Sequence, residues 1–248
     1  MKFIFYIYQS VLCEDFHFMS LESMKVEKIS ELTTNRLSVY LRCLNEVAAE
    51  GASTISSEHL ARRFHLNSAQ IRKDLAYFGE FGVRGVGYTV ASLRDHLTKI
   101  LGLDNQHRVC IIGAGRLGTA LTDYYGFSQT NFIVAALFDA DEEKIGKKVG
   151  NVEIFDIKDF AAVVKKDKID VAVIAVPAEY AQSVLDKISK SGIKAVMNFA
   201  PTPLRVSEDI KLKTIDLTTS LESLSYFLAQ PKNGNGKTVK PNGKVSRK

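Results

Sequence analysis

Apolar positions recur along this chain with two different periods, and the change from one to the other divides it. From Thr34, which offers a helix cap, Leu37, Tyr40, Leu41, Leu44 and Val47 return at helical spacing as far as Gly51. A second, shorter helix follows Ser56 and Ser57, with Leu60, Ala61 and Phe64 on its inner face. Leu66 closes a tight turn, Asn67 or Ser68 caps a third helix, and Ile71, Leu75 and Phe78 face inward. Two short helices across a tight turn make a helix-turn-helix pattern. The alternation of Gly82, Gly85 and Gly87 with Val83, Val86 and Tyr88 then predicts a small β-hairpin. Helix-turn-helix plus hairpin is a winged helix. A further helix over about 92–101 packs it, and 102–107 reads as a linker.

From Arg108 onward, strands alternate with helices. Continuous apolar runs at 109–112, 132–138, 171–176 and 195–199 fit a parallel sheet covered on both faces. Helical stretches fall near 116–125, 157–165 and 180–189, and a last helix near 220–229 bears Leu221, Leu224, Phe227 and Leu228. The expected fold class is α/β: an N-terminal winged helix over 26–104, a Rossmann-type parallel-sheet domain over 105–216, and a C-terminal helix over 217–230. Residues 231–248 form a Gly/Asn/Lys-rich tail with too little apolar surface to order itself. At the other end, Phe3 to Cys13 is apolar but far too short to span a bilayer, and no cleavage-type site precedes Glu14. Met24 is a second possible start, so residues 1–25 are expected to be an extension, disordered or outside the translated chain.

Charge changes this picture less than it first suggests. The 248 residues carry a formal net charge of +5. The last seventeen residues hold six Lys/Arg and no acid, which leaves 27 basic against 28 acidic residues elsewhere. Any nucleic-acid surface must therefore be a local patch. Three cysteines (Cys13, Cys43, Cys110) lack metal-ligand spacing and argue against a disulfide framework, which suits a reducing cytoplasm. Cys43 and Cys110 read as buried small hydrophobes, with a redox-switch thiol as the sharper alternative.

Two segments bear candidate chemistry. The strand at 109–112 runs directly into Gly113-Ala114-Gly115-Arg116-Leu117-Gly118. In such a loop the first glycine permits the tight turn, the second lets backbone approach a pyrophosphate, and the third lets the helix lie close to the strand. Asp139 ends the next strand, 21 residues beyond Gly118, where a carboxylate accepts from ribose hydroxyls and repels a 2′-phosphate. NAD(H) is thus favoured over NADP(H). Val176 and Pro177 end a further strand at the same rim. A glycine-rich turn that binds no nucleotide is the plain alternative. No His follows the loop, no Tyr-x-x-x-Lys pair is present and no metal-ligand set is clustered, so the domain reads as binding a dinucleotide without transforming it.

The third helix places Gln70, Arg72 and Lys73 on its polar side, residue types that reach adenine, guanine or phosphate. Asn67 and Ser68 suit phosphate or base-edge contacts, and Ser56 and Ser57 could position a phosphate. Arg84, flanked by Val83 and Gly85 at the hairpin tip, suits a narrow minor groove. A solvated Arg/Lys face on a small helical domain would look the same.

Taken in order, 39–88 (including Asn67-Ser-Ala-Gln-Ile-Arg-Lys-Asp-Leu75 and Gly82-Val-Arg-Gly-Val-Gly-Tyr88), Gly113–Gly118, Phe138-Asp139, Val176-Pro177 and Asn198-Phe199-Ala200-Pro201 resemble the Rex family of redox-sensing transcriptional repressors. The resemblance covers about residues 30–230. It implies a homodimer on palindromic operator DNA that senses the NADH/NAD⁺ ratio and is released by NADH. It matches Arg72, Lys73 and Arg84 to DNA contacts, and Gly113–Gly118 and Asp139 to cofactor contacts. Pro177 and Asn198–Pro201 fall on the nicotinamide side. Arg42, Tyr124 and Asp216 match positions linking the winged helix, cofactor site and partner subunit. The last helix resembles one exchanged between subunits. Tyr125 departs from the family, which often has Pro there. The alternatives are an NAD-dependent oxidoreductase with an accessory helical domain, and a DNA-binding dimer with a vestigial glycine loop.

Overall fold

The computed structural model describes residues 29–229 other than Arg84 and Gln129; the expected N-terminal extension, the basic tail and the wing-tip arginine lie outside the described residues. The chain divides into two compact units, with the division between Leu103 and Asp104.

The first unit opens with α1 (Glu31–Ala49), then β1 (Thr54–Ile55), α2 (Ser57–Phe64), α3 (Ser68–Phe78), β2 (Gly82–Val83), β3 (Gly87–Thr89) and α4 (Val90–Ile100). Side-chain caps set the helix starts. Ser30 accepts from the Thr33 N–H, so α1 begins three residues before Thr34, whose hydroxyl instead donates to the Glu31 carbonyl at 3.0 Å. Ser56 caps α2 and Asn67 caps α3, each accepting from the N–H three residues on, at 3.1 and 3.0 Å. The helices close over a core in which Leu37, Leu44, Leu60, Ile71, Leu93 and Leu97 are fully buried. β3 pairs antiparallel with both β1 and β2, giving a three-stranded wing sheet.

One charged side chain enters this core. Asp74 lies on the inward stripe of α3 with only 4% of its surface exposed. Its carboxylate accepts from Arg36 Nε (2.6 Å) and Nη2 (2.8 Å), from the Tyr40 hydroxyl (2.9 Å) and from Gln70 Nε2 (2.7 Å). Burial pushes its pKa up. The bonds from Arg36, Gln70 and Tyr40 together outweigh that, so the carboxyl titrates below its ordinary value. Asp74 thereby ties α3 to α1 across 38 residues of sequence.

The second unit alternates β4 (His107–Ile112), α5 (Arg116–Thr122), α6 (Tyr125–Ser128), β5 (Phe132–Asp139), β6 (Lys148–Val149), β7 (Val152–Asp156), α7 (Phe160–Lys166), β8 (Val171–Ile174), α8 (Ala178–Ser191), β9 (Ala195–Asn198), β10 (Lys211–Thr214) and α9 (Leu217–Ala229). The sheet order is β10-β9-β8-β4-β5-β7-β6. All pairs are parallel except the edge strand β6. Without β6 this is the doubly wound Rossmann order, which reverses direction between β4 and β8. The central strands are buried along their length: Cys110, Ile112, Ala136, Phe138, Ala172 and Ile174 face one core, and Val109, Ile111, Leu137 and Val173 the other.

Several expectations need correction. β6, β7 and β10 are strands that the apolar runs did not reveal. The helix expected over 116–125 ends at Thr122, and a separate short turn of helix starts at Tyr125. Tyr125 is the first helical residue there, a position that accepts proline readily, so the family's Pro and this Tyr fit the same backbone. A 3-10 turn at Ile157–Asp159 precedes α7. α9 begins at Leu217, and none of its thirteen residues is buried. Cys43 and Cys110 are both buried free thiols, and burial pushes the Cys110 thiol up to about 12. That disfavours the reactive thiolate a redox switch needs.

Asp74→Asn is expected to cost about 2–3 kcal/mol, less than a fully buried pair because Arg36 is one-third open to solvent. Chemical denaturation measures it. Because the folded-state carboxyl sits below its unfolded value of about 3.9, its contribution is complete above that pH and drains away as pH falls through the folded value. The wild-type unit should therefore lose stability with acid more steeply than Asp74→Asn.

Candidate nucleotide site and nucleic-acid interface

In the second unit, the expected cofactor residues all gather at the C-terminal ends of β4, β5, β8 and β9, neighbours in the sheet. The three motif glycines differ in what surrounds them. Gly113 has φ +106, and a Cβ there would lie 2.5 Å from the Ala175 carbonyl oxygen across the switch point. A Cβ on Gly118 would lie 1.8 Å from the Gly113 carbonyl oxygen, so α5 rests directly on the loop. Gly115 has nothing within 4 Å of where its Cβ would be, and its φ of −83 suits any residue. Two glycines are thus explained by the protein's own packing. The third borders open space at the start of α5, where no side chain caps the helix. That is the space a pyrophosphate needs, so the loop fits a dinucleotide. Ala114 is buried, whereas Arg116 and Leu117 are exposed on the first turn.

Asp139 ends β5 beside this loop. Its Oδ2 accepts from the Ala114 N–H at 2.7 Å and from Lys144 Nζ at 3.2 Å, and its Oδ1 from the Asp141 N–H at 3.0 Å. Burial pushes this carboxyl's pKa up, but the two backbone N–H groups and Lys144 hold it below the ordinary range. A carboxylate has about four acceptor sites, so Oδ1 keeps one for a ribose hydroxyl. Lys144 was missed in the sequence; its signal is only a cation five residues beyond a strand-end acid.

On the other side of the switch point, β8 stops at Ile174, two residues short of the apolar run, and Val176 and the exposed Pro177 lead into α8. Asn198, fully buried at the end of β9, accepts from the Ala200 N–H at 2.9 Å and donates to the Ala200 carbonyl at 3.0 Å. Its amide is committed to shaping the 198–201 turn. Phe199 is half-buried there and Pro201 exposed.

In the first unit, α3 presents Arg72 and Lys73 outward, with Ser68 half-buried and Asn67 exposed at its start. Gln70 is turned toward Asp74, so in this conformer its amide donates inward rather than to a base. Ser57 is 5% exposed; its hydroxyl accepts from Arg72 Nη1 at 2.9 Å and donates to Glu58 Oε2 at 3.1 Å, while Arg72 also pairs with Glu58 Oε1. The wing places Gly85 at its exposed turn, φ +84; Arg84 beside it lies outside the described residues. Of the three expected linking residues, Arg42 is exposed on α1 of the first unit. Tyr124, in the second unit, is exposed and stacks edge-on against Phe127 at 5.2 Å. Asp216 caps α9, accepting from the Thr218 and Thr219 N–H groups at 2.8 and 3.1 Å. Among the described residues no group of His, Cys, Asp or Glu could hold a metal, and no helix is long and apolar enough to cross a membrane.

A family model described as "CoA binding domain" matches residues 104–202, and one described as "Putative DNA-binding protein N-terminus" matches residues 28–76. The redox-sensing transcriptional repressor Rex of Carboxydothermus hydrogenoformans is 47% identical over 203 residues, 82% of this chain and 98% of its own. That of Syntrophomonas wolfei is 48% identical over 206 residues, 83% of this chain and 98% of its own. The solved structure "Crystal structure of RSP in complex with beta-NAD+ and operator DNA" matches with a TM-score of 0.78 at 38% identity, covering 81% of this chain and 92% of that one. "Crystal structure of RSP in complex with beta-NADH" matches with a TM-score of 0.73 at 36% identity, covering 81% and 94%. Winged helix, Rossmann sheet and open glycine loop together define a class of transcription regulator that joins a DNA-binding fold to a nucleotide-binding one. The chain belongs to the Rex family of redox-sensing transcriptional repressors. Its relatives are repressors rather than oxidoreductases, which sets the enzyme alternative aside.

The glycines allow a discriminating test. Gly118→Ala should cost about 3 kcal/mol or more in thermal unfolding, because α5 must move off the loop. Gly115→Ala should leave stability unchanged or raise it by about 0.5 kcal/mol, while NADH affinity, followed by fluorescence, falls at least about tenfold as the methyl fills the backbone's approach to the pyrophosphate.

Proposed function

We propose that the protein is a cytoplasmic homodimer that binds palindromic operator DNA and leaves it on binding NADH. The observation that carries this reading is the open space at Gly115, at the switch point of a Rossmann sheet whose chain also holds a winged helix. RSP, solved with NAD⁺ and operator DNA and also with NADH, supports the same pairing of ligands. Arg72 and Lys73 on α3, and Arg84 and Gly85 on the wing, are the proposed DNA contacts, with Asn67, Ser68, Ser56 and Ser57 at the helix starts and Gln70 beside them. Gly113–Gly118 would hold the pyrophosphate and Asp139 the adenosine ribose. Val176, Pro177 and Asn198–Pro201 would border the nicotinamide.

The dimer reading rests on α9. Leu217, Leu221, Leu224 and Leu228 follow one another at helical spacing, and all are more than half exposed, as is Phe227. Such a stripe is costly in water, and a second copy of this chain is the partner proposed to cover it. Arg42, Tyr124 and Asp216 are the proposed link between units and subunits.

The nicotinamide supplies the signal: it is neutral when reduced and positively charged when oxidised. Val176, Pro177 and Phe199 offer it an apolar border, and an unpaired buried charge is disfavoured. NADH drives release only by binding the DNA-incompetent arrangement of the dimer more tightly than the competent one, and by a wider margin than NAD⁺. Operator DNA must then weaken NADH binding by the same factor.

A titration of labelled operator with the full-length protein checks this: NADH is expected to dissociate the complex, and equal operator affinity with saturating NADH or NAD⁺ would refute the switch. Asp139→Ala should weaken NADH binding about tenfold and narrow the preference over NADPH. An unchanged preference in competition binding would count against the ribose role.

A further inference from the structure

Arg72 and Lys73 are adjacent on α3, yet they differ in one respect. Lys73 makes no ion pair among the described residues, while Arg72 is paired with Glu58 on α2. The pair is half open to solvent, with side-chain exposures of 50% and 59%. An ion pair so exposed adds little to stability. Its geometry is nonetheless fixed, because the buried Ser57 hydroxyl bonds to both members. Arg72, Glu58 and Ser57 line an open cleft of about 670 Å³ whose opposite wall is the wing, with Gly85, Val86 and Tyr88. A carboxylate thus stands inside the surface proposed to meet a polyanion.

We propose that Glu58 is a specificity-determining residue, a counter-charge that makes the Arg72 contact conditional on the base it meets. The inference rests on the operator-binding reading above. A bare arginine gains from the phosphates of any duplex, whatever its sequence. Arg72 must instead give up, or share, a charge-assisted bond to Glu58, and it brings that carboxylate toward the DNA's negative charge. Guanine offsets this with two acceptors, O6 and N7, in the geometry of the guanidinium fork. A mismatched duplex offers no such pair and leaves Glu58 and phosphate facing each other. Rejection of wrong partners by an uncompensated like charge is a general route to selectivity. Lys73, with no counter-charge, supplies attraction independent of sequence.

The test uses the full-length protein and a palindromic duplex that wild type enriches from a random library, against a scrambled duplex of equal length and composition. Affinities are measured over a range of salt concentrations for wild type, Glu58→Gln, Arg72→Ala and the double variant, with thermal melting as the folding control. Glu58→Gln is expected to bind the scrambled duplex about tenfold tighter while gaining about threefold or less on the selected one. The salt slope on the scrambled duplex should steepen by about one phosphate contact. In the Arg72→Ala background, Glu58→Gln should shift both duplexes equally; with Arg72 present, Glu58→Ala should repeat the loss of selectivity. An equal gain on both duplexes with Arg72 present, or a selectivity ratio that does not fall, overturns the proposal. If wild type enriches no duplex, the operator-binding reading itself fails and takes this inference with it.

Discussion

Burying a polar side chain is costly unless each of its hydrogen-bonding groups is met, and among its described residues this chain does so in three places. Ser57, Asp74 and Asn198 are the buried polar or charged side chains, and none is left with an unpartnered buried atom. Each is held by hydrogen bonds within the protein that set local geometry. Asp74 gathers four donors from Arg36, Tyr40 and Gln70 and sets α3 against α1. Ser57 fixes the angle between Arg72 and Glu58. Asn198 closes the turn that brings Phe199 and Ala200 to the rim of the sheet. At each proposed site one residue is thus backed by a buried polar group: Arg72 by Ser57, and Phe199 by the turn that Asn198 closes.

The nucleotide site depends on the same economy of space in backbone form. Because Gly113 sits against Ala175, and Gly118 against Gly113, no side chain separates β4, the β8–α8 connection and α5. The gap that remains is the one at Gly115. A larger residue at either packed position would open the junction and move the Asp139 carboxylate, which is tied to the loop through the Ala114 N–H. Asp139 is therefore part of the loop's support as well as its proposed ribose acceptor, and Lys144 and Asp141 keep it ionised and aimed.

What could be read from sequence follows from how local each signal is. The helices of the winged helix were legible because apolar spacing and capping residues are both local, though Ser30 rather than Thr34 proved to be the cap of α1. The central strands were legible as unbroken apolar runs. β6, β7 and β10 were not, because strands at or next to a sheet edge alternate or are short, and Lys211, Lys213 and Glu153 interrupt their apolar character. The glycine loop and Asp139 share one spacing rule and were found together. Asp74 left a trace that went unused: it falls three residues beyond Ile71, on the buried stripe where a charge has no place unless paired. Its partner Arg36 lies 38 residues away, and no periodicity reaches so far. The commitments of Gln70 to Asp74 and of Arg72 to Glu58 are likewise contacts between or within helices that spacing alone leaves undecided.

Magnitudes bound how the two units need to be coupled. A change of 5- to 150-fold in operator affinity corresponds to a coupling free energy of roughly 1–3 kcal/mol. Taking an unpaired charge fully out of water costs far more than this. A half-open border such as the one proposed at Val176, Pro177 and Phe199 is therefore sufficient, and a sealed pocket would exclude NAD⁺ altogether rather than compare it with NADH. A sensor of a ratio must bind both forms, and so its discriminating surface has to remain partly solvated. The exposed apolar stripe of α9 sets the complementary requirement. A helix none of whose residues is buried leaves its apolar stripe to be covered from outside the chain, which is what the proposed dimer would do.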